Sequence, residues 1–117
     1  GWKYNIVAAE SCQITRYKTG GYYNWHKDGT GSHEEVYDEP DNKFLNGNAR
    51  KLSMTILLNS TYKGGDFQIR TEQESEAMKK EIGSIIVFPS FSEHRVKPVT
   101  QGTRYSLVCW FLGPPFI

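Results

Sequence analysis

The chain has 117 residues, room for one domain with one core, and a second domain is excluded. With 14 Lys and Arg against 13 Asp and Glu the net charge is +1, so no broad field marks it for nucleic acid or an acidic membrane. Aromatics make up 14% and glycines number 11, a composition that suits short strands joined by tight turns better than a helical bundle and speaks against a disordered chain.

Cys12 and Cys109 are too few and too far apart for a secreted disulfide framework, so they are read as reduced and intracellular, with one bridge between them as the alternative. The sequence shows no charged-then-apolar leader and no apolar run of membrane-span length, so a soluble, cytoplasmic protein is expected. It opens without an initiator Met, as a trimmed or excised piece would.

Periodicity predicts strands almost throughout. Ile6 to Tyr17 and Tyr22 to Asp28 come first, and the turn pair Gly20-Gly21 between them predicts an antiparallel start. Gly29 to Asn48 carries Gly, Ser, Asp, Asn and Pro with few apolar anchors and reads as a long mobile loop. Lys51 to Leu58 resumes β character, Gly64-Gly65 turns the chain, and Asp66 to Arg70 is another short strand. Glu72 to Glu81 is helical by propensity, yet its place between strands also allows a polar hairpin arm. Ser84 to Phe88, ended by Pro89, predicts a buried strand. His94 to Val99 and Thr103 to Phe111 follow, the latter after a turn at Gln101-Gly102. Seven or eight strands without a βαβ crossover imply a sandwich or barrel.

In the last strand Arg104, Ser106, Val108 and Trp110 share one face, and Tyr105, Leu107, Cys109 and Phe111 the other. Both faces are largely apolar. A covering element is therefore expected, either flanking helices that this sequence scarcely contains or a self-association surface.

His26-Lys27-Asp28 is the sharpest local signal, because residues i and i+2 of a strand project to the same side and can hold one ion. Imidazole with carboxylate is a mixed donor set, and one more histidine would complete the 2-His-1-carboxylate face of a non-haem Fe(II) site. The third ligand is His33, on the loop, or His94, at the mouth of a later strand. His94 is preferred, since a strand holds a ligand ready whereas a loop must be ordered by the metal. An HxD triplet alone is often a surface pair or a capped turn. Its context here adds Arg104, ten residues past His94, with Ser106 on the same face. A guanidinium beside a hydroxyl can clamp a carboxylate, although an isolated strand Arg is more often one half of a surface ion pair.

The segments RYKTGGYYNWHKDG, GGDF and FPSFSEHRVKPVTQGTRYSLVCW resemble the prolyl 4-hydroxylase group of 2-oxoglutarate/Fe(II) oxygenases, from about Cys12 to Trp110. The resemblance implies a single catalytic domain over residues 1–117, mainly β and folded as a double-stranded β-helix, a cupin-like jelly roll. It implies Fe(II) on His26, Asp28 and His94. The 2-oxoglutarate C5 carboxylate would lie on Arg104, with Ser106 completing the Arg-x-Ser pattern and Tyr17 at the co-substrate edge. Ascorbate is a further cofactor of the group. Two departures stand out. Many relatives carry Lys where Arg104 stands, and some place a Tyr where Leu57 falls.

By the same resemblance the activity is hydroxylation of a C–H bond, 2-oxoglutarate being converted to succinate and CO2. The expected partner is a peptide or protein containing proline, because Tyr22, Tyr23, Trp25, Tyr37 and Phe44 could cover an extended peptide and aromatic rings suit a proline ring. Trp110 is expected to line the pocket, with core packing as the plain alternative. Rival readings are a hydroxylase of a free amino acid or small metabolite, an AlkB-like nucleic-acid demethylase, and a jelly-roll binding module without catalysis. Against the demethylase, Trp110 stands where that group has another Arg, and the charge is near neutral.

Overall fold

Alternating, β-branched and aromatic segments form eleven short strands among the described residues, namely 4–70, 75–77 and 80–115 of a computed structural model, with His33 and 75–77 described by main chain alone. They are β1 (Ala8–Ala9), β2 (Gln13–Tyr17), β3 (Tyr23–His26), β4 (Ala49–Leu57), β5 (Lys63–Gly64), β6 (Phe67–Arg70), β7 (Ser75–Ala77), β8 (Ile85–Pro89), β9 (His94–Val96), β10 (Val99–Gln101) and β11 (Arg104–Gly113). The helical content of these residues is a single 3-10 turn, His33–Glu35, inside the long loop.

The strands make two antiparallel sheets that face each other as a double-stranded β-helix. The major sheet runs β8-β4-β11, with β1 and β2 in tandem along the free side of β11. The minor sheet runs β3-β9-β6-β7, and β5 with β10 forms a separate ribbon. Phe67 and Val96 of the minor sheet meet Phe88 of the major sheet in the space between, with Tyr17, Ile69 and Ile86 around them. Truncating a ring such as Phe88 to Ala in such a core costs about 3–5 kcal/mol. A second cluster, Leu57, Tyr62 and Val99, closes one end.

The structure departs from the sequence-based expectations at three places. The segments flanking Gly20-Gly21 do not form a hairpin: β2 pairs with β11 and β3 with β9, so the turn carries the chain from one sheet to the other. Val99 holds that crossover, accepting from Gly20 N at 2.7 Å and donating to Gly21 O at 3.0 Å. A Cβ on Gly21 would stand 2.9 Å from Lys18 O, which explains the glycine.

Next, β8 is not buried on both faces. Among the described residues it pairs with β4 alone, and Ile85 and Val87 are exposed while Phe88 is buried. An apolar run announces contact with something apolar and does not say that this chain supplies it.

Cys12 and Cys109 are bonded rather than reduced. Register explains the bond, since Gln13 opposite Val108 sets Cys12 opposite Cys109 across the strand pair, with Cα atoms 4.6 Å apart. Within the ambiguous stretch Glu72 to Glu81, residues 75–77 form β7 beside β6, a hairpin arm; 72–74, 78 and 79 lie outside the described residues.

Candidate metal centre

His26 ends β3 and His94 opens β9, directly opposite it in the register, with Asp28 just past β3. One donor atom from each of the three lies within 4.8 Å of the others. Asp28 Oδ1 stands 3.4 Å from His26 Nε2 and 3.1 Å from His94 Nε2.

The two imidazoles are oriented alike. Nδ1 of His26 is 2.7 Å from Asn24 O and Nδ1 of His94 is 2.9 Å from Ser92 O. A backbone carbonyl only accepts, so Nδ1 carries the proton in both rings and Nε2 turns inward. Burial, with the backbone bond to Asn24 opposing it, holds the His26 pKa below its ordinary value and favours the neutral ring. Two nitrogen lone pairs then meet one carboxylate oxygen, a set of like-polarity atoms that only protons or a cation can reconcile. Nitrogen, nitrogen and oxygen donors around one point fit Fe(II).

Burial alone would raise the Asp28 pKa, yet it is held at about 2, first by the bond and charge that His94 offers once Nε2 also carries a proton, which is one of the two ways such a cluster is reconciled, and then by bonds from Ser53 and Trp110. Ser53 Oγ donates to Asp28 Oδ2 at 2.6 Å and Trp110 Nε1 donates to the same oxygen at 3.0 Å. Phe88 and Phe67 pack on His94, with ring centroids 4.7 and 5.7 Å away, and complete an apolar back wall.

From these three residues a cavity of about 350 Å³ runs between the sheets to Arg104, Ser106 and Thr15, past Tyr17. Arg104 is 2% exposed. Its Nη1 donates to Ser106 Oγ at 3.2 Å, Nε has no partner, and no carboxylate among the described residues is paired with it. Ser106 Oγ lies 2.5 Å from Thr15 Oγ1. A buried guanidinium without a counter-anion is costly, and a carboxylate entering the cavity would relieve it. The turn pair ahead of β6 makes room for this side chain, for a Cβ on Gly65 (φ +62°) would stand 3.2 Å from Arg104 Cδ. Leu57, where some relatives carry Tyr, is in the core.

The structure brings His26, Asp28, His94, Arg104, Ser106, Tyr17, Tyr23 and Trp110 to one cavity. Tyr23 packs on His26 with ring centroids 3.7 Å apart. Trp25 is turned the other way by strand alternation and stacks between Arg70 and Arg95, 4.1 and 4.5 Å from its ring centroid. Tyr37 stands outside this cavity, at a neighbouring one of about 320 Å³, and donates to Glu10 Oε1 at 2.7 Å.

Sequence reasoning missed Arg50, Ser53 and Ser90. Arg50 reaches the site through a β-bulge: Phe111 opposes Leu52 and Leu112 opposes Arg50, so Lys51 is the extra residue. The bulge shifts the alternation by one. Arg50 thereby lies 3.9 Å over the Trp110 ring and bonds Glu10 at 2.7 Å and Asp28 O at 3.4 Å.

The model of the 2OG-Fe(II) oxygenase superfamily matches residues 12–112. A PKHD-type hydroxylase of Synechococcus sp. (strain CC9902) is 33% identical over 107 residues, covering 90% of this chain and 42% of that protein. The chain spans less than half the length of the curated relatives it matches. Among solved structures, a prolyl hydroxylase of Trichoplax adhaerens, in complex with a hypoxia inducible factor peptide, superposes with a TM-score of 0.70 at 20% identity, over 92% of this chain and 46% of that one. A Pseudomonas putida prolyl-4-hydroxylase gives 0.67 at 23%, over 91% and 53%. These likenesses carry the fold.

Proposed function

Because the chain belongs to the 2OG-Fe(II) oxygenase superfamily, we propose that residues 1–117 are a single catalytic domain that hydroxylates peptidyl proline. His26, Asp28 and His94 would hold Fe(II). Arg104 and Ser106 would clamp the far carboxylate of 2-oxoglutarate, with Tyr17 beside it. The observation that carries this reading is the convergence of three acceptor atoms in the same cavity as a buried guanidinium that no carboxylate among the described residues pairs.

Iron with O2 and 2-oxoglutarate supplies the oxidising power, 2-oxoglutarate leaving as succinate and CO2 while the substrate C–H gains a hydroxyl. The chain's own residues bind and orient. The carbonyls of Asn24 and Ser92 hold the imidazoles with Nε2 inward. Arg104 anchors the co-substrate by charge and by its planar fork. Phe67, Phe88 and Val96 keep the inner wall apolar and exclude water. An iron(II) site open to stray oxidation needs a reductant, the role ascorbate would take.

Proline as target is supported by Tyr23 and Trp110 at the cavity, whose rings suit a pyrrolidine, and by the prolyl hydroxylases of similar fold. Trp25 and Tyr37 would belong to the substrate surface only beyond the cavity itself. No helix among the described residues is long and apolar enough to cross a membrane. The cytoplasmic location expected from the sequence is opposed by the Cys12–Cys109 bond, since a cytosolic pool would hold both thiols reduced, and a thiol count on freshly isolated protein decides between them. The apolar back of the major sheet, with Ile14, Ile85 and Val87 exposed, supports self-association.

Succinate release with proline-rich peptides, measured against free proline and against no substrate, tests the function. Release coupled to the peptide and absent in Asp28→Ala is expected. Coupling to free proline alone would move the reading to an amino-acid hydroxylase, and no release with any of them would favour a binding module.

A further inference from the structure

Two serines lie completely buried beside the metal centre. Ser53, on the inner face of β4, and Ser90, just past β8, are both 0% exposed. Hydroxyls in such a place are unfavourable unless bonded. Their Oγ atoms lie 2.9 Å apart, and Ser53 Oγ lies 2.6 Å from Asp28 Oδ2.

The proton directions follow from valence. An ionised carboxylate only accepts, so the single Ser53 proton goes to Asp28 Oδ2, and the contact between the hydroxyls must be donated by Ser90. Ser90 also grips the main chain of the same ligand, its carbonyl accepting from Asp28 N at 2.9 Å and Gly29 N at 3.2 Å. Ser90 N in turn donates to Lys51 O at 3.0 Å, tying this corner to the β4 bulge. Trp110 adds the second bond to Oδ2 at 3.0 Å.

We infer that the Ser90–Ser53 hydroxyl relay, with the Trp110 indole, commits Asp28 Oδ2 so that Oδ1 alone faces His26 and His94. Ser53 and Ser90 are positioning residues. They act through Asp28, and the inference rests on the proposed Fe(II) site. Without Ser53 the carboxylate loses its shortest restraint and can turn both oxygens toward the ion, occupying room that the co-substrate needs. Two hydroxyls serving packing alone would be replaceable by methyl groups without consequence at the metal.

The test uses Co(II) as a visible probe, with affinity by titration and the d–d spectrum recorded without 2-oxoglutarate. Ser53→Ala is expected to weaken Co(II) binding about 10- to 100-fold and to alter the spectrum. Ser90→Ala should change both in the same direction by less, and Ser53→Thr, which keeps the hydroxyl, should restore both. Trp110→Phe removes the other donor and should move the spectrum independently of β4. A merely structural serine would lower the melting temperature and leave the spectrum of the folded variant alone, so an unchanged affinity and spectrum in Ser53→Ala overturns the inference. Asp28→Ala separates the two levels: undiminished Co(II) binding there overturns the metal-site reading itself.

Discussion

Arg104 donates from Nη1 to the Ser106 hydroxyl at 3.2 Å, two residues away along β11, and no carboxylate among the described residues answers its charge. A dicarboxylate seated there gains charge-assisted bonds worth about 1.5–3 kcal/mol. Arg104→Ala is therefore expected to raise the 2-oxoglutarate requirement roughly 10- to 100-fold while the iron requirement changes little. Arg104→Lys, which keeps the charge and loses the fork, should fall between. Equal co-substrate saturation curves for wild type and Arg104→Ala would remove the clamp.

The Cys12–Cys109 bond closes a separation of 97 residues and fastens the β1–β2 edge to β11. Constraining so long a loop in the unfolded chain stabilises the fold by about 2–4 kcal/mol. Urea unfolding with and without reductant should show that difference, and a thiol assay of the native, oxidised protein should find none free. Two titratable thiols and coincident unfolding curves would be the opposite result.

Tyr37 ties the long loop to Glu10, and its pKa is raised, first by burial and then by the bond to Glu10. A raised folded-state pKa gives stability that is fully present below the unfolded value near 10 and is lost as pH rises through the folded value. The chain should accordingly lose stability above that pH by a component missing from Tyr37→Phe. Thermal melts of both across the alkaline range would show it, and parallel curves would contradict it.

Across the back of the major sheet, Ile14 and Ile85 lie in one row with Leu107 and Ile56. Ile14 is 69% and Ile85 58% exposed. Sedimentation of the wild type should show association that grows with concentration, and the double variant Ile14→Lys, Ile85→Lys should stay monomeric. A wild type monomeric at every concentration would leave this face without that role.

Much of the site was legible because it is carried by spacings that survive folding. The i, i+2 pair His26 and Asp28, and Arg104 with Ser106, need only a strand to bring each pair to one side. His94 needed one choice between two histidines. The strand positions were legible for the same reason, but their partners were not: periodicity says which face a residue takes and nothing about which strand lies beside it, so the Gly20-Gly21 crossover read as a hairpin.

β4 shows the harder failure. Its alternation sets Lys51, Ser53 and Thr55 against Leu52, Met54 and Ile56, and the usual rule sends the apolar set inward. The structure buries all three polar residues and leaves the apolar ones half-exposed, because Ser53 bonds Asp28 and Thr55 lines the cavity, while Lys51, at the bulge, is buried with its ammonium donating to Pro114 O. Arg50 was hidden twice over, by that inversion and by a bulge that no local residue announces. Trp25 misled in the simplest way, since alternation from His26 already turns it outward.

The central claim is that His26, Asp28 and His94 hold iron beside a carboxylate clamp. Anaerobic titration of the protein with Fe(II) and 2-oxoglutarate tests it most directly. A visible metal-to-ligand charge-transfer band is expected in the wild type, to be absent in His94→Ala and to need far more 2-oxoglutarate in Arg104→Ala. No band in the folded wild type, or a full band in His94→Ala, would contradict it.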